Sequence, residues 1–156
     1  MKNAKIIIRR YPYEEPHHLN LVLSATNGDF SGSLRYYCNA TDINELGSAL
    51  IYFPKKIPDE YQYQLGSMRP EDHWAYFLLL RAYTIDLAGH SAIQISMNNN
   101  AETPDGNACT FSIKATSTAI KKLGEVLLSF SKLEHLELQW TSLGESSLHK
   151  NYSEEM

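Results

Sequence analysis

From residue 19 to residue 38 apolar side chains alternate with polar ones on both sides of an Asn27-Gly28 pair, HLNLVLSAT running in and DFSGSLRYYC running out. A period of two marks half-buried strands, and Asn-Gly is the pair preferred by a type I′ hairpin turn, whose two central residues take positive φ. A two-residue loop sets Ala25 against Phe30, Leu23 against Gly32, Leu21 against Leu34 and Leu19 against Tyr36 on one face. Ser24, Val22 and Asn20 then meet Ser31, Ser33 and Arg35 on the other. Gly32, inside the apolar row, predicts a bulge or a place where a helix packs close.

The period then becomes helical. Thr41 is a suitable N-cap, Asp42 and Glu45 suit the first turn, Ile43, Leu46, Ala49, Leu50 and Phe53 recur at helical spacing, and Pro54 stops the run. Residues 55–73 are polar; within them YQYQL (61–65) reads as a short strand and GSMRPEDH as a loop. WAYFLLLRAYTI (74–85) is the most hydrophobic run, for which a long central strand competes with a helix. The turn decides for the strand. Asp86-Leu87-Ala88-Gly89 has Asp first and Gly fourth, and SAIQISM then resumes strict alternation. ACTFSIKAT is the next strand, a second helix starts near Ser117 or Thr118, and HLELQW (135–140) closes the pattern.

The two helices echo each other. TDINELGSALIYFPK from Thr41 and TAIKKLGEVLLSFSK from Thr118 share Thr, Ile, Leu-Gly, Leu, Phe and Lys at one offset. A duplicated β-β-α unit would give this, and so would two amphipathic helices obeying the same packing rules. Either way Gly47 and Gly124 lie inside helices, where glycine costs about 1 kcal/mol relative to alanine. Close approach to the sheet or to the other helix is the compensation that such glycines imply. The expected fold is therefore α+β, an antiparallel sheet of about six or seven strands with two helices packed on one face. It occupies residues 1–140 as one domain, with 141–156 as a polar, flexible tail.

Charge and composition narrow the function more than the fold. The net charge is -4 and the basic residues form no stripe, so the electrostatic footprint of a nucleic-acid binder is missing; the acidic balance suits a basic partner or none, and ordinary solubility alone accounts for it. No run approaches the roughly 20 apolar residues of a membrane span, and Ile6–Ile8 is too short for a signal-peptide core. Cys38 and Cys109 lack metal spacing and read as reduced, buried thiols, with a single bridge as the alternative; reduced thiols fit a cytoplasmic protein.

Candidate chemistry is sparse. In YEEPHH, Glu14, Glu15, His17 and His18 are metal-ligand types, but neighbouring strand histidines point to opposite faces, so a structural or solvated role is expected. Asp86 and His90 make half of a catalytic pair without a positioned nucleophile. Arg81 interrupts an apolar strand. Pairing Asp86 with His90 sets it opposite Ile95, on the face of Tyr83 and Leu79, where it needs a carboxylate or carbonyl partner or an anionic ligand. The ten tyrosines stand out. Tyr36, Tyr37, Tyr61 and Tyr63, with the loops at 54–60 and 66–73, mark an interaction surface, and one of Tyr36 and Tyr37 must face outward. There is no Walker loop, GxGxxG, GxSxG elbow or cysteine-histidine cluster, so catalysis is disfavoured and no cofactor is expected.

With NGDFSGSLRYYC, LGSALIYFPK and LLLRAYTIDLAGHSAIQI in view, residues 17–131 resemble small bacterial α+β proteins of the immunity type found beside polymorphic toxins. The resemblance implies stoichiometric binding of a cognate toxin without catalysis, and assigns no functional residue. The leading expectation is a protein-binding module with a basic toxin domain as partner. The competing ones are a small-molecule site or enzyme pocket near Arg81 and the 86–90 turn, and a homodimer formed through a sheet face or edge.

Overall fold

A computed structural model describes residues 4–154. Its elements run β1 (Lys5–Arg10), β2 (Leu19–Thr26), β3 (Ser31–Cys38), α1 (Ala40–Ile51), β4 (Glu60–Gly66), β5 (Phe77–Thr84), β6 (Ser91–Asn98), β7 (Ala108–Ala115), α2 (Ser117–Phe130), β8 (Glu137–Thr141) and β9 (Ser146–His149). The fold is α+β with antiparallel pairing throughout. In place of one sheet of six or seven strands, the described residues form nine strands in two sheets, ordered β3-β2-β1-β8-β9 and β4-β5-β6-β7. β1 and β9 are the strands that the hydrophobic pattern left unread. Within 141–156, expected as a polar tail, residues 146–149 form β9, and Tyr152 and Ser153 pack back on β1 and β8.

The β2–β3 hairpin forms with its register two residues from the expected one: Leu23 meets Leu34, Leu21 meets Tyr36 and Leu19 meets Cys38. The reason lies in Asn27. Its side-chain oxygen accepts from Asp29 N at 3.0 Å and Phe30 N at 2.9 Å, so an Asx turn of four residues replaces the two-residue turn. An even shift leaves the side chains within the two strands on their expected faces, while Phe30, expected inward opposite Ala25, falls in the turn and is exposed. The β5–β6 hairpin slips by one from the trial register: Thr84 meets Ser91 and Arg81 meets Gln94 instead of Ile95. Helix α1 is capped two residues earlier than Thr41, by Asn39 in a capping box with Asp42. Thr116 caps α2.

The echo between the helices extends into the three strands before each of them. β1 and β2 recur 72 residues on as β5 and β6, while β3 and α1 recur 77 residues on as β7 and α2. The repeating unit is thus β-β-β-α, one strand longer than the expected β-β-α. Small contacts repeat with it: Ser24 and Ser33 hydroxyls lie 3.0 Å apart, and their counterparts Ser96 and Thr110 lie 2.8 Å apart. The strand after each helix crosses to the other half. β4 follows α1 yet pairs with β5, and β8 follows α2 yet pairs with β1.

The halves meet at two reciprocal contacts. A Cβ on Gly47 would stand 2.8 Å from the Gly124 carbonyl oxygen, and one on Gly124 would stand 2.6 Å from that of Gly47. The expected close approach is therefore helix to helix. Gly32 fits against Cys109 and Met97 of the other sheet, not against a helix. Around these contacts Leu21, Leu23, Ile95, Ile120, Phe130 and Trp140 form the centre of a single core shared by both sheets and both helices.

Candidate interaction surface

The two halves differ most at the strand that each receives from the other. β8 is covered on its far side by β9, and its inward residues Leu138 and Trp140 are fully buried, the indole N–H donating to the Ala119 carbonyl at 2.8 Å. β4 is an edge. The Asp59 carbonyl accepts from Thr84 N at 3.1 Å, and strand alternation then turns the main-chain groups of Gln62 and Gln64 away from β5, toward the open side. Gln62 and Gln64 are exposed, and Tyr61, Tyr63 and Leu65, on the inner side, are only half-buried.

The outer face of the second sheet carries an Arg–Glu–Gln group beside this edge. Arg81, with a side chain 26% exposed, reaches Glu60 at 3.2 Å and Gln94 at 3.3 Å, and its guanidinium lies 4.1 Å from the Tyr83 ring centre. Gln62 donates to Glu60. The hydrogen bonds from Arg81 and Gln62 hold the Glu60 carboxyl below its ordinary pKa.

Arg9 occupies the same position on β1 that Arg81 has on β5, and it too is held by a glutamate of the exchanged strand, Glu137, at 2.8 Å. Gln139 donates to Glu137 at 2.7 Å. There the group is covered. The Glu137 side chain is wholly buried, Ser153 N donates to it at 3.1 Å, the Ser153 carbonyl accepts from Arg9 at 2.7 Å, and Tyr152 stacks on Tyr11 at 4.9 Å. Burial pushes the Glu137 carboxyl up, but the hydrogen bonds from Gln139, Ser153 and Arg9 outweigh it and lower its pKa.

Helix α1 flanks the open edge with acid. Tyr61 is raised by burial and by the nearby Glu45 carboxylate, and Tyr63 by burial, Cys38 and Asp42. Burial and Asp42 push the Cys38 thiol up to about 12. Across the helix pair, α2 has Ala119 and Lys122 where α1 has Asp42 and Glu45, and it is on Ala119 and Lys122 that Gly144, just before β9, rests.

The tyrosines expected to form one surface do not gather on it. Tyr36 is in the core, its pKa raised well above the ordinary value by burial. Tyr37 faces outward and stacks on His18 at 4.9 Å, with its main chain held by the Tyr76 hydroxyl. The loops at 54–60 and 66–73 sit at opposite ends of β4. The first joins the end of β5 through Asp59 and Thr84, and the second joins Asn100 through Ser67. Asp86 and His90 form an exposed pair at 2.7 Å, in which the hydrogen bond from His90 lowers the Asp86 pKa, and Asp86 also caps the turn at Ala88 N. No hydrogen bond or ion pair links them to Arg81 among the described residues. Gln62, Gln64, Asp42 and Glu45 were missed as surface residues because only the pairing of β4 shows which side of it is open.

A small apolar cavity of about 20 Å³ between the halves is walled by side chains such as Ile8, Leu23, Leu50, Ile93 and Leu127. A shallow depression of about 370 Å³ on the first sheet, over Ile7, is rimmed by Ser24, Thr26, Ser31 and Ser33. Among the described residues no three His, Cys, Asp or Glu side chains gather to hold a metal ion, and no helix is long and apolar enough to cross a membrane. No protein-family model, curated protein or solved structure matches the chain.

Proposed function

We propose that the chain is a protein-binding module of the immunity type, which holds a protein partner stoichiometrically at the edge of its second sheet. One observation carries this reading. β4 is bare on the side where its counterpart β8 is covered by β9, so seven residues of sheet edge and a half-buried row of Tyr61, Tyr63 and Leu65 await cover. Exposed edges pair readily with other chains, and natural proteins ordinarily blunt them. The carboxylates of Asp42, Glu45 and Glu60 around the edge favour a basic partner, in keeping with the net charge of -4. Support for a small-molecule pocket at Arg81 is weaker, because the guanidinium is already engaged by Glu60, Gln94 and Tyr83.

The test is affinity capture from the source cell with the full chain and with Gln64→Pro, which removes one outward N–H and is tolerated on an edge. A single partner recovered one-to-one by the wild type and lost with Gln64→Pro is the expected result. That partner, expressed alone, should arrest growth, and co-expression of the chain should restore it. Recovery of no stoichiometric partner refutes the module.

A further inference from the structure

Residues 146–153 do two things for the first half. As β9 they add a strand to β8, with Leu148 packed on the core. They then cross the outer face, where Tyr152 stacks on Tyr11 and donates to the Arg10 carbonyl at 2.5 Å, and Ser153 meets both Arg9 and Glu137. The receiving groups other than the Arg10 carbonyl have counterparts on the second half: β4 for β8, Tyr83 for Tyr11, Arg81 for Arg9, and Glu60 with Gln62 for Glu137 with Gln139. Arg81 is held more loosely than Arg9. Its bonds to Glu60 and Gln94 measure 3.2 to 3.4 Å, against 2.8 and 2.7 Å for Arg9 to Glu137 and Ser153. The guanidinium of Arg81 lies over the Tyr83 ring, the position that an aromatic ring takes on Tyr11.

We propose that the second sheet takes from a protein partner what the first takes from its own chain: an extended segment that adds to β4 as a strand and then lays an aromatic side chain on Tyr83, displacing the loosely held Arg81 guanidinium from the ring toward the segment's main chain. The strand part is basic, because Asp42 and Glu45 stand on α1 where Ala119 and Lys122 stand beside β9. This rests on the protein-binding reading and names the kind of segment that is held. Strand addition supplies main-chain hydrogen bonds, while the acidic flank and the ring platform select the sequence.

The probe is a labelled synthetic peptide of residues 144–153 carrying Ser146→Lys, titrated with the full chain and followed by fluorescence anisotropy. Saturable one-to-one binding is expected. Gln64→Pro, Tyr83→Ala and Glu45→Lys in the protein, and Tyr152→Ala in the peptide, should each weaken it by about tenfold or more, while Tyr11→Ala in the protein leaves it unchanged. Glu45 is an exposed helix position, so Glu45→Lys reports even if Gln64→Pro proves unstable. The proposal falls if binding does not saturate by about 1 mM. It falls equally if Tyr11→Ala, not Tyr83→Ala, abolishes binding, since the peptide then displaces the chain's own segment on the first sheet. Light scattering that shows the protein alone pairing through β4, in a manner sensitive to Gln64→Pro, overturns it in favour of a second copy. A captured natural partner lost with Gln64→Pro but indifferent to Tyr83→Ala and Glu45→Lys leaves the binding module standing and removes this segment. Peptide binding without any captured partner does the reverse.

Discussion

Gly124→Ala tests whether the two helices are held together by backbone contact. The added methyl would stand 2.6 Å from the Gly47 carbonyl oxygen, 2.8 Å from Ile51 N and 2.9 Å from Ile51 Cγ1. Optimal non-bonded separations are about 3.5 Å, so the helices must part by roughly half to one ångström. That separation loosens the packing of Leu46 and Leu50 with Leu123 and Leu127, all buried. Overpacking costs about 1–3 kcal/mol, and about 2–3 kcal/mol where the added methyl strikes backbone atoms as here, against about 1 kcal/mol gained by removing a glycine from mid-helix. The net loss is about 1–2 kcal/mol, a fall in Tm of roughly 2–8 °C for a chain of this size. Gly47→Ala meets the Gly124 carbonyl and Leu128 N in the mirrored way and should cost a similar amount. One parting of the helices relieves both clashes, so the double variant should fall short of the sum by about 1 kcal/mol. Thermal unfolding of the four proteins by circular dichroism measures all of this. A Gly124→Ala protein that melts at or above the wild type, as an alanine on an open helix face would make it, refutes the reasoning. So would strict additivity in the double variant.

The duplicated Arg–Glu groups should respond unequally. Glu137→Gln leaves Arg9 in a mostly buried site with one fewer anion and should cost about 3 kcal/mol, whereas Glu60→Gln should leave the Tm within error of wild type. The Glu137 carboxyl has a folded pKa below its ordinary 4.5, so the unfolded chain binds the proton more tightly. Its contribution is complete above pH 4.5 and is lost as pH falls through the folded value; the gap in Tm between wild type and Glu137→Gln should therefore shrink on acidification, and a gap that widens below pH 4.5 contradicts the assignment. Cys38, with its thiol pushed up to about 12, carries at pH 8 about a thousandfold less thiolate than an ordinary cysteine, so iodoacetamide followed by mass spectrometry should modify Cys109 well before it. Equal rates would show that Cys38 is not shielded. Tyr152→Ala removes the stack on Tyr11 and the bond to the Arg10 carbonyl, and should lower stability by about 1–2 kcal/mol by chemical denaturation; an unchanged midpoint would mean that residues 150–154 do not hold to the first sheet.

The elements with strong local signals were legible in the sequence. Alternation around Asn27-Gly28 revealed the first hairpin, and its faces survived because the Asx turn at Asn27 moved the register by an even number. Gly47 and Gly124 exposed the helix echo. The same echo in the strands was hidden by the longer loop at 99–107, which changes the offset from 72 to 77 between β6 and β7. KIIIRR is too short to announce β1, and SSLH too polar to announce β9. Both are strands by virtue of their neighbours. The edge at β4 was out of reach for the same reason. YQYQL reads as a strand, but that it pairs with β5 alone is a fact about partners far along the chain.

The crossing of β4 and β8 also bears on how the protein is made. A ribosome delivers β1, β2 and β3 first, but the far side of β1 has no partner until β8 emerges, some 130 residues later in the sequence. The first half cannot close by itself during synthesis, and its long-range pairing makes for slow folding, as topologies rich in distant contacts do. Until then the nascent chain offers β1 as an open edge, and α1 offers Gly47 without the backbone of α2 to cover it. The second half, whose strands β4–β7 and helix α2 are all present by residue 130, can thus close first, and the first half is completed only when β8 follows.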